Sequence, residues 1–323
     1  MPAAQPARDT VTTSPTARSV ASLVLNARFK LFDLFQHHPD NGDFTQRLTD
    51  IVWQLQLACE QDADVALAVI LHAQEGSYGI RHSVDTAIVV DLVCERLDMN
   101  PLDRQSVVSA ALTMNMGMMA LQETLSQQSS PLSSAQREEM HRHPMIGRET
   151  LRKLGVSDQL WLDCVLQHHE LPDGSGYPAR LEGEELRFEA RLIGLADRYC
   201  AMLTQSAWRS GSVVDSALFR TLRTHGSAAD AKLGRLFGDT LGLFPPGAVV
   251  RMANGESGVV KQYANEAAPL VTALFDDADM PLLEPVDRDT GNTQFAIVEM
   301  LDPTSLVGRV QFDLVWGAAA AGL

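Results

Sequence analysis

Five side chains on well-separated stretches of this sequence could share one piece of chemistry: His82, His143, His168, His169 and Asp197. Imidazole and carboxylate together suit iron, manganese or zinc, and helical domains build metal sites from side chains on facing helices. Each residue also has a plainer explanation. His82 before Ser83 could be a capped or surface histidine, His143 before Pro144 could mark a kink, and Asp197 beside Arg198 could be half of a surface ion pair. The adjacent pair His168-His169 is harder to dismiss. It closes an apolar helix, and neighbouring helical residues diverge by about 100°, so the two rings are not expected to share a core face. A loop with two glycines follows at once, through Asp173-Gly174-Ser175-Gly176-Tyr177-Pro178.

The elements that must position these groups are mostly helical. Residues 1–18, rich in Pro, Ala, Thr and Ser, read as a disordered tail. N-terminal helices over 19–75 follow, the first carrying Leu25, Phe29, Phe32 and Phe35 on one face, and helical spacing there predicts a core stripe. Residues 76–243 read as a helical domain. His82 lies early in a helix from Ser77 to Leu97, and Pro101 opens the next helix, which runs into Met114-Asn115-Met116-Gly117-Met118-Met119. Ser133 and Gln136 have capping-box spacing ahead of the helix with His143. Ser157 is expected to cap a helix from Asp158 to Glu170, and further helices are expected at 188–204, with Asp197, and at 213–223 and 231–241. Phe244-Pro245-Pro246-Gly247 then changes the character. Asn254-Gly255 is a strong hairpin signal, and strands are expected at about 249–252, 257–263, 269–275, 293–300 and 307–314. Residues 244–315 thus read as a small β-barrel-like domain, with a short tail over 316–323.

Charge and composition narrow the function classes. A net charge of -15 opposes nonspecific binding to nucleic acid or to an anionic membrane, since both are polyanions. No apolar run approaches the roughly 20 residues of a spanning helix, and no charged n-region leads into an apolar stretch at the N-terminus. The four cysteines stand far apart in apolar surroundings, as free thiols in a reducing compartment do. A cytoplasmic location is the expectation.

In order, His82-Ser83, His143-Pro144-Met145-Ile146-Gly147, His168-His169-Glu170 through Tyr177-Pro178, and Gly194-Leu195-Ala196-Asp197-Arg198-Tyr199 resemble the HD-GYP family. The resemblance covers about residues 50–240, and its HHExxDGxGYP element is specific. It implies an HD-domain-like helical bundle and, in active members, hydrolysis of cyclic di-GMP at a two- or three-metal site. The metal ligands it implies are His82, His143, His168, His169 and Asp197. Asp173, Gly174, Gly176, Tyr177 and Pro178 match its loop, which shapes the site and recognises other domains, and Arg209 stands where the family has a phosphate-contacting base.

The departures fall at the centre of that pattern. Where the family has HDxGK, this chain has Met114, Asn115 and Met118 for His, Asp and Lys; Ser206 stands for a family arginine and Cys200 for a common Asp. A bridging carboxylate offsets the repulsion of two cations about 3.5–4 Å apart. Asn115 is neutral, and a Met114 thioether is too soft for such a site, so the dinuclear centre is not expected to assemble. One divalent metal (Fe, Mn or Zn) on His143, His168 and His169, or hydrogen-bonded histidines with none, both remain open. The expected function is a noncatalytic protein of cyclic di-GMP signalling, acting through a partner such as a GGDEF-type cyclase or by binding the nucleotide. The alternative is a weak metal-dependent phosphodiesterase acting on cyclic di-GMP or another phosphate ester through a remodelled site.

Overall fold

The structure, a computed structural model, describes residues 18–37, 43–128, 130–205, 231–262, 268–302 and 310–323. The expected tail (Arg18 apart), the helix at 213–223, Ser206 and Arg209 lie outside them. The described helices are α1 (Val20–Gln36), α2 (Asp43–Gln61), α3 (Ala63–His72), α4 (Tyr78–Arg96), α5 (Pro101–Thr113), α6 (Met119–Gln127), α7 (Ser134–Lys153), α8 (Gln159–Gln167), α9 (Phe188–Gln205), α10 (Ala231–Leu241) and the short α11 (Asp313–Trp316). The strands are β1 (Val249–Met252), β2 (Ser257–Gln262), β3 (Leu270–Phe275), β4 (Pro281–Asp289) and β5 (Ile297–Met300).

Local chemistry sets many of these ends. Ser19 and Asp62 accept from the Ser22 and Val65 amides at the starts of α1 and α3, satisfying donors a helix leaves open. The reciprocal Ser133–Gln136 box is present at α7. Replacing Ser133 by Ala is expected to lower stability by about 1 kcal/mol; a chemical denaturation midpoint that does not move would deny the cap its role. At α8 the cap is Asp158, whose carboxylate accepts from Trp161 N, and not Ser157.

One apolar core joins the helices to the sheet. It runs from Val24, Leu31 and Leu34 through Val84, Ile88, Leu112 and Phe237 to Val250, Met252, Val260 and Val271. The face of α1 in this core carries Leu23, Val24, Ala27, Leu31 and Leu34, while Phe29 is 68% and Phe32 44% exposed. The aromatic spacing therefore marked the wrong stripe: the smaller aliphatic residues allow closer helix packing. Arg28 ties α1 to α4 through Asp85 Oδ1 at 2.6 Å and also donates to the Ala73 carbonyl.

The five strands form an open antiparallel sheet, order β4-β3-β2-β1-β5, with β4 and β5 at its edges rather than closed on each other as a barrel. The β1–β2 hairpin turns at Asn254-Gly255 as expected. Strand β4 escaped the sequence reading because it opens on Pro281 and carries Pro285 inside it. An edge strand tolerates proline, since one side of its backbone makes no ladder bonds. Of the strand expected at 307–314, residues 307–309 lie outside the described ones, and Asp313 and Leu314 are helical. His72 at the end of α3 joins helices to sheet, its Nε2 at 2.6 Å from the Gly247 carbonyl and its ring against Phe312.

Candidate metal centre

The histidine of α7 owes its setting to the proline beside it. Pro144 has no N–H, so within the helix the carbonyl four residues back, Met140, loses its usual donor. His143 Nδ1 lies 2.5 Å from that oxygen and donates to it. A similar event occurs at the end of α8. The helix stops at Gln167, and the freed Val165 carbonyl accepts from His168 Nδ1 at 2.8 Å. That early stop also reverses the expectation for the adjacent pair. His168 and His169 are not both helical, and their ring centroids come within 4.1 Å on one site.

With both Nδ1 atoms donating to carbonyls, both Nε2 atoms carry lone pairs. Those two Nε2 atoms face each other at 3.2 Å. His169 Nε2 is buried and has no hydrogen-bond partner, and one ring nitrogen from each of His143, His168 and His169 lies within 4.8 Å of the others. Two bare acceptors at hydrogen-bond distance repel unless a proton or cation stands between them. Protonation is opposed. Burial, with His168 next, pushes the His143 imidazolium down to about 3. Burial likewise lowers His168, and burial with the neighbouring His168 takes His169 well below the ordinary histidine value. A divalent ion on three neutral imidazoles, each ring fixed from behind by a carbonyl or a neighbour, fits this donor set.

The other two expected ligands close on each other. His82 Nε2 lies 2.7 Å from Asp197 Oδ1, while His82 Nδ1 is buried and unpartnered. Burial opposes ionisation of Asp197, but the hydrogen bond that His82 donates outweighs it and holds the carboxyl far below its usual range. The five residues thus form a group of three and a pair.

The departing segment sits against the cluster. Asn115 is buried, and neither its Oδ1 nor its Nδ2 finds a partner. Met114 is fully buried in the apolar core, and Met118 lies half-buried in the turn Met116–Met118. Gly117 fixes that turn against α7: a Cβ there would collide with the His143 carbonyl oxygen and come within 2.8 Å of Gly147 N. Gly117→Ala is accordingly expected to cost about 1–3 kcal/mol. It should also disturb the His143 imidazole resonances, and an unchanged histidine spectrum would separate this turn from the cluster.

The loop after the pair is pinned by a residue whose role the sequence did not reveal. Glu170 is buried, and its carboxylate accepts from the amides of Ala179, Arg180 and Leu181 at 2.5, 3.1 and 3.1 Å. The loop turns back tightly enough that a Cβ on Gly176 would lie 2.5 Å from Glu170 Cα. Asp173 Oδ1 accepts from the Ser175 amide and hydroxyl, and Asp173 pairs with Glu182 in a short bridge that takes the chain past Gly174. Tyr177, joined to Pro178 by a cis peptide bond, stacks between His169 at 4.7 Å and His141 at 4.4 Å.

A helical bundle that gathers histidines in this way has relatives among known proteins. Residues 45–233 match the HD domain family, and the chain belongs to that family, within its HD-GYP branch. It is 27% identical over 234 residues to the cyclic di-GMP phosphodiesterase PA4108 of Pseudomonas aeruginosa, covering 72% of this chain and 56% of that protein. It is 31% identical over 147 residues to the cyclic di-GMP phosphodiesterase response regulator RpfG of Xanthomonas campestris pv. campestris, covering 45% of this chain and 38% of that protein. The chain therefore spans little more than half, or less, of these relatives' length. Bd1817, an HDGYP protein from Bdellovibrio bacteriovorus, shares the fold with a TM-score of 0.55 at 16% identity, over 72% of this chain and 74% of that one. Among the described residues no helix is long and apolar enough to cross a membrane.

Proposed function

We propose that this protein is a cyclic di-GMP signalling module that works by binding and does not hydrolyse the nucleotide. Residues 76–243 form the signalling domain in this reading, flanked by the helices of 19–75 and the sheet of 244–315. The observation that carries it is Asn115, a neutral side chain buried without partners on the turn that packs against His143. A second cation beside the first needs a bridging carboxylate to offset their repulsion, and an amide does not supply one. His143, His168 and His169 would hold a single divalent ion, which supplies positive charge and Lewis acidity when bound. Because all three ligands are neutral, most of that charge would be left to attract a phosphate. Met140 and Val165 carbonyls orient two of the rings, and Tyr177 covers the third. The loop with Asp173, Gly174, Gly176, Tyr177 and Pro178 is a recognition surface for a protein partner, for which a GGDEF-type cyclase is the first to test by pull-down. Arg209 is proposed to contact phosphate.

The ionised Asp197 next to the cluster favours one second reading, a weak phosphodiesterase for cyclic di-GMP or another phosphate ester. Elemental analysis and a cyclic di-GMP turnover assay with added Mn²⁺ or Fe²⁺, on one preparation, separate the two. We expect one metal per chain, lost in His168→Ala, and no turnover. Hydrolysis that disappears in His169→Ala would sink the binding-only reading.

A further inference from the structure

A cavity of about 660 Å³ opens beside the methionine-rich turn, and none of His143, His168 and His169 is among its described lining residues. Phe32 and Phe35 of α1, Ile80 of α4, and Met116 and Met119 give it an apolar wall, and Glu123 of α6 is its only charged residue among the described lining. One Glu123 oxygen, Oε2, accepts from Ser77 Oγ at 2.9 Å. Arg81 stands outside the lining but close enough to Glu123 to interact with its charge. Its guanidinium lies 5.9 Å from the Tyr78 ring and donates to Gln74. The size is that of a small-molecule site, and such sites combine apolar walls with a few polar groups that fix orientation.

The chemistry of the wall selects the occupant. A phosphate would meet a carboxylate and no lining base, so an anion such as a cyclic dinucleotide does not suit this cavity. Aromatic faces attract cations, thioethers pack adaptably on rings, and the carboxylate matches a positive charge. We propose that this cavity is a binding site for a small aromatic cation, separate from the histidine cluster and independent of whether that cluster holds a metal. The two methionines stand on or next to the turn whose Gly117 packs on the His143 carbonyl, so an occupant would touch the turn that supports the cluster.

The test uses the full chain and berberine, a planar aromatic cation whose fluorescence rises in apolar surroundings, with anionic anilinonaphthalene sulfonate as comparator. We expect saturable binding of berberine, tighter than that of the anion. Glu123→Gln keeps an acceptor for Ser77 and should weaken berberine by at least about tenfold without changing the melting curve. Ala120→Trp, at an exposed lining position, should block both probes. Berberine binding that is unchanged in Glu123→Gln, or a preference for the anion, would overturn the proposal. So would a dimer in light scattering that Ala120→Trp disperses, since a second copy of the chain would then be the occupant. Should Ala120→Trp not fold, Glu123→Gln and the two-probe comparison decide alone.

Discussion

Glu170→Ala is expected to lower the stability of this protein by about 3–5 kcal/mol, because it leaves three backbone amides without their shared acceptor. Ala179, Arg180 and Leu181 all donate to this one buried carboxylate. No other residue can take its place without moving the loop, since the chain between Glu170 and Ala179 is folded onto itself at Gly176. Loss of the carboxylate frees Tyr177 from its position between His141 and His169. Glu170→Gln keeps an amide oxygen and should recover part of the loss. Urea unfolding of the three proteins checks the order, and protease cleavage between 171 and 182 checks where the structure opens. If the alanine variant unfolds at the wild-type midpoint, the loop is held by something other than Glu170.

The second large effect is a loss of stability in mild acid for protein freed of metal by chelation. His143, His168 and His169 are held neutral in the fold, with His143 pushed down to about 3, against about 6.5 in an unfolded chain. Above pH 6.5 neither state binds these protons and stability is complete. As pH falls from about 6.5 toward 3 the unfolded chain takes up protons that the folded chain refuses, so stability falls with pH. For His143 alone this amounts to about 2 kcal/mol at pH 5, and each of the other two imidazoles acts with the same sign. His72, lowered to about 4 by burial, adds to the trend. The midpoint of urea unfolding, followed from pH 7.5 to 5 with chelator present, should drop steeply. Adding Zn²⁺ at neutral pH should raise it, by up to about 4 kcal/mol at a thousandfold excess over the dissociation constant. A flat acid profile would mean that the three rings are not buried in the neutral form.

Much of this arrangement could be read from residue types. Caps and periodic spacing placed most of the described helices within a few residues, and the Asn-Gly turn placed the hairpin. The histidine cluster was legible as a motif and not as a pattern of faces, because His168 and His169 lie beyond the end of α8, where helical angles no longer apply. The roles of Met140 and Val165 are invisible in side-chain identity, since each contributes a backbone oxygen. For Met140 the signal was present in Pro144, whose missing amide releases that oxygen. Phe29 and Phe32 misled by size: a helix face rich in aromatics is not always the face that packs closest. The pairing of His82 with Asp197 could not be foreseen either, because it depends on how α4 and α9 meet.

The facing Nε2 atoms of His143 and His168 also bear on how selection acts on this domain. Folding has already fixed both rings through the Met140 and Val165 carbonyls, so an arriving cation has little left to organise. The repulsion is borne by the metal-free protein, as strain held at a functional site generally is. Substitutions that relieve it would favour the fold while removing the reason for it, and a search for thermostable variants would be drawn to these two histidines first.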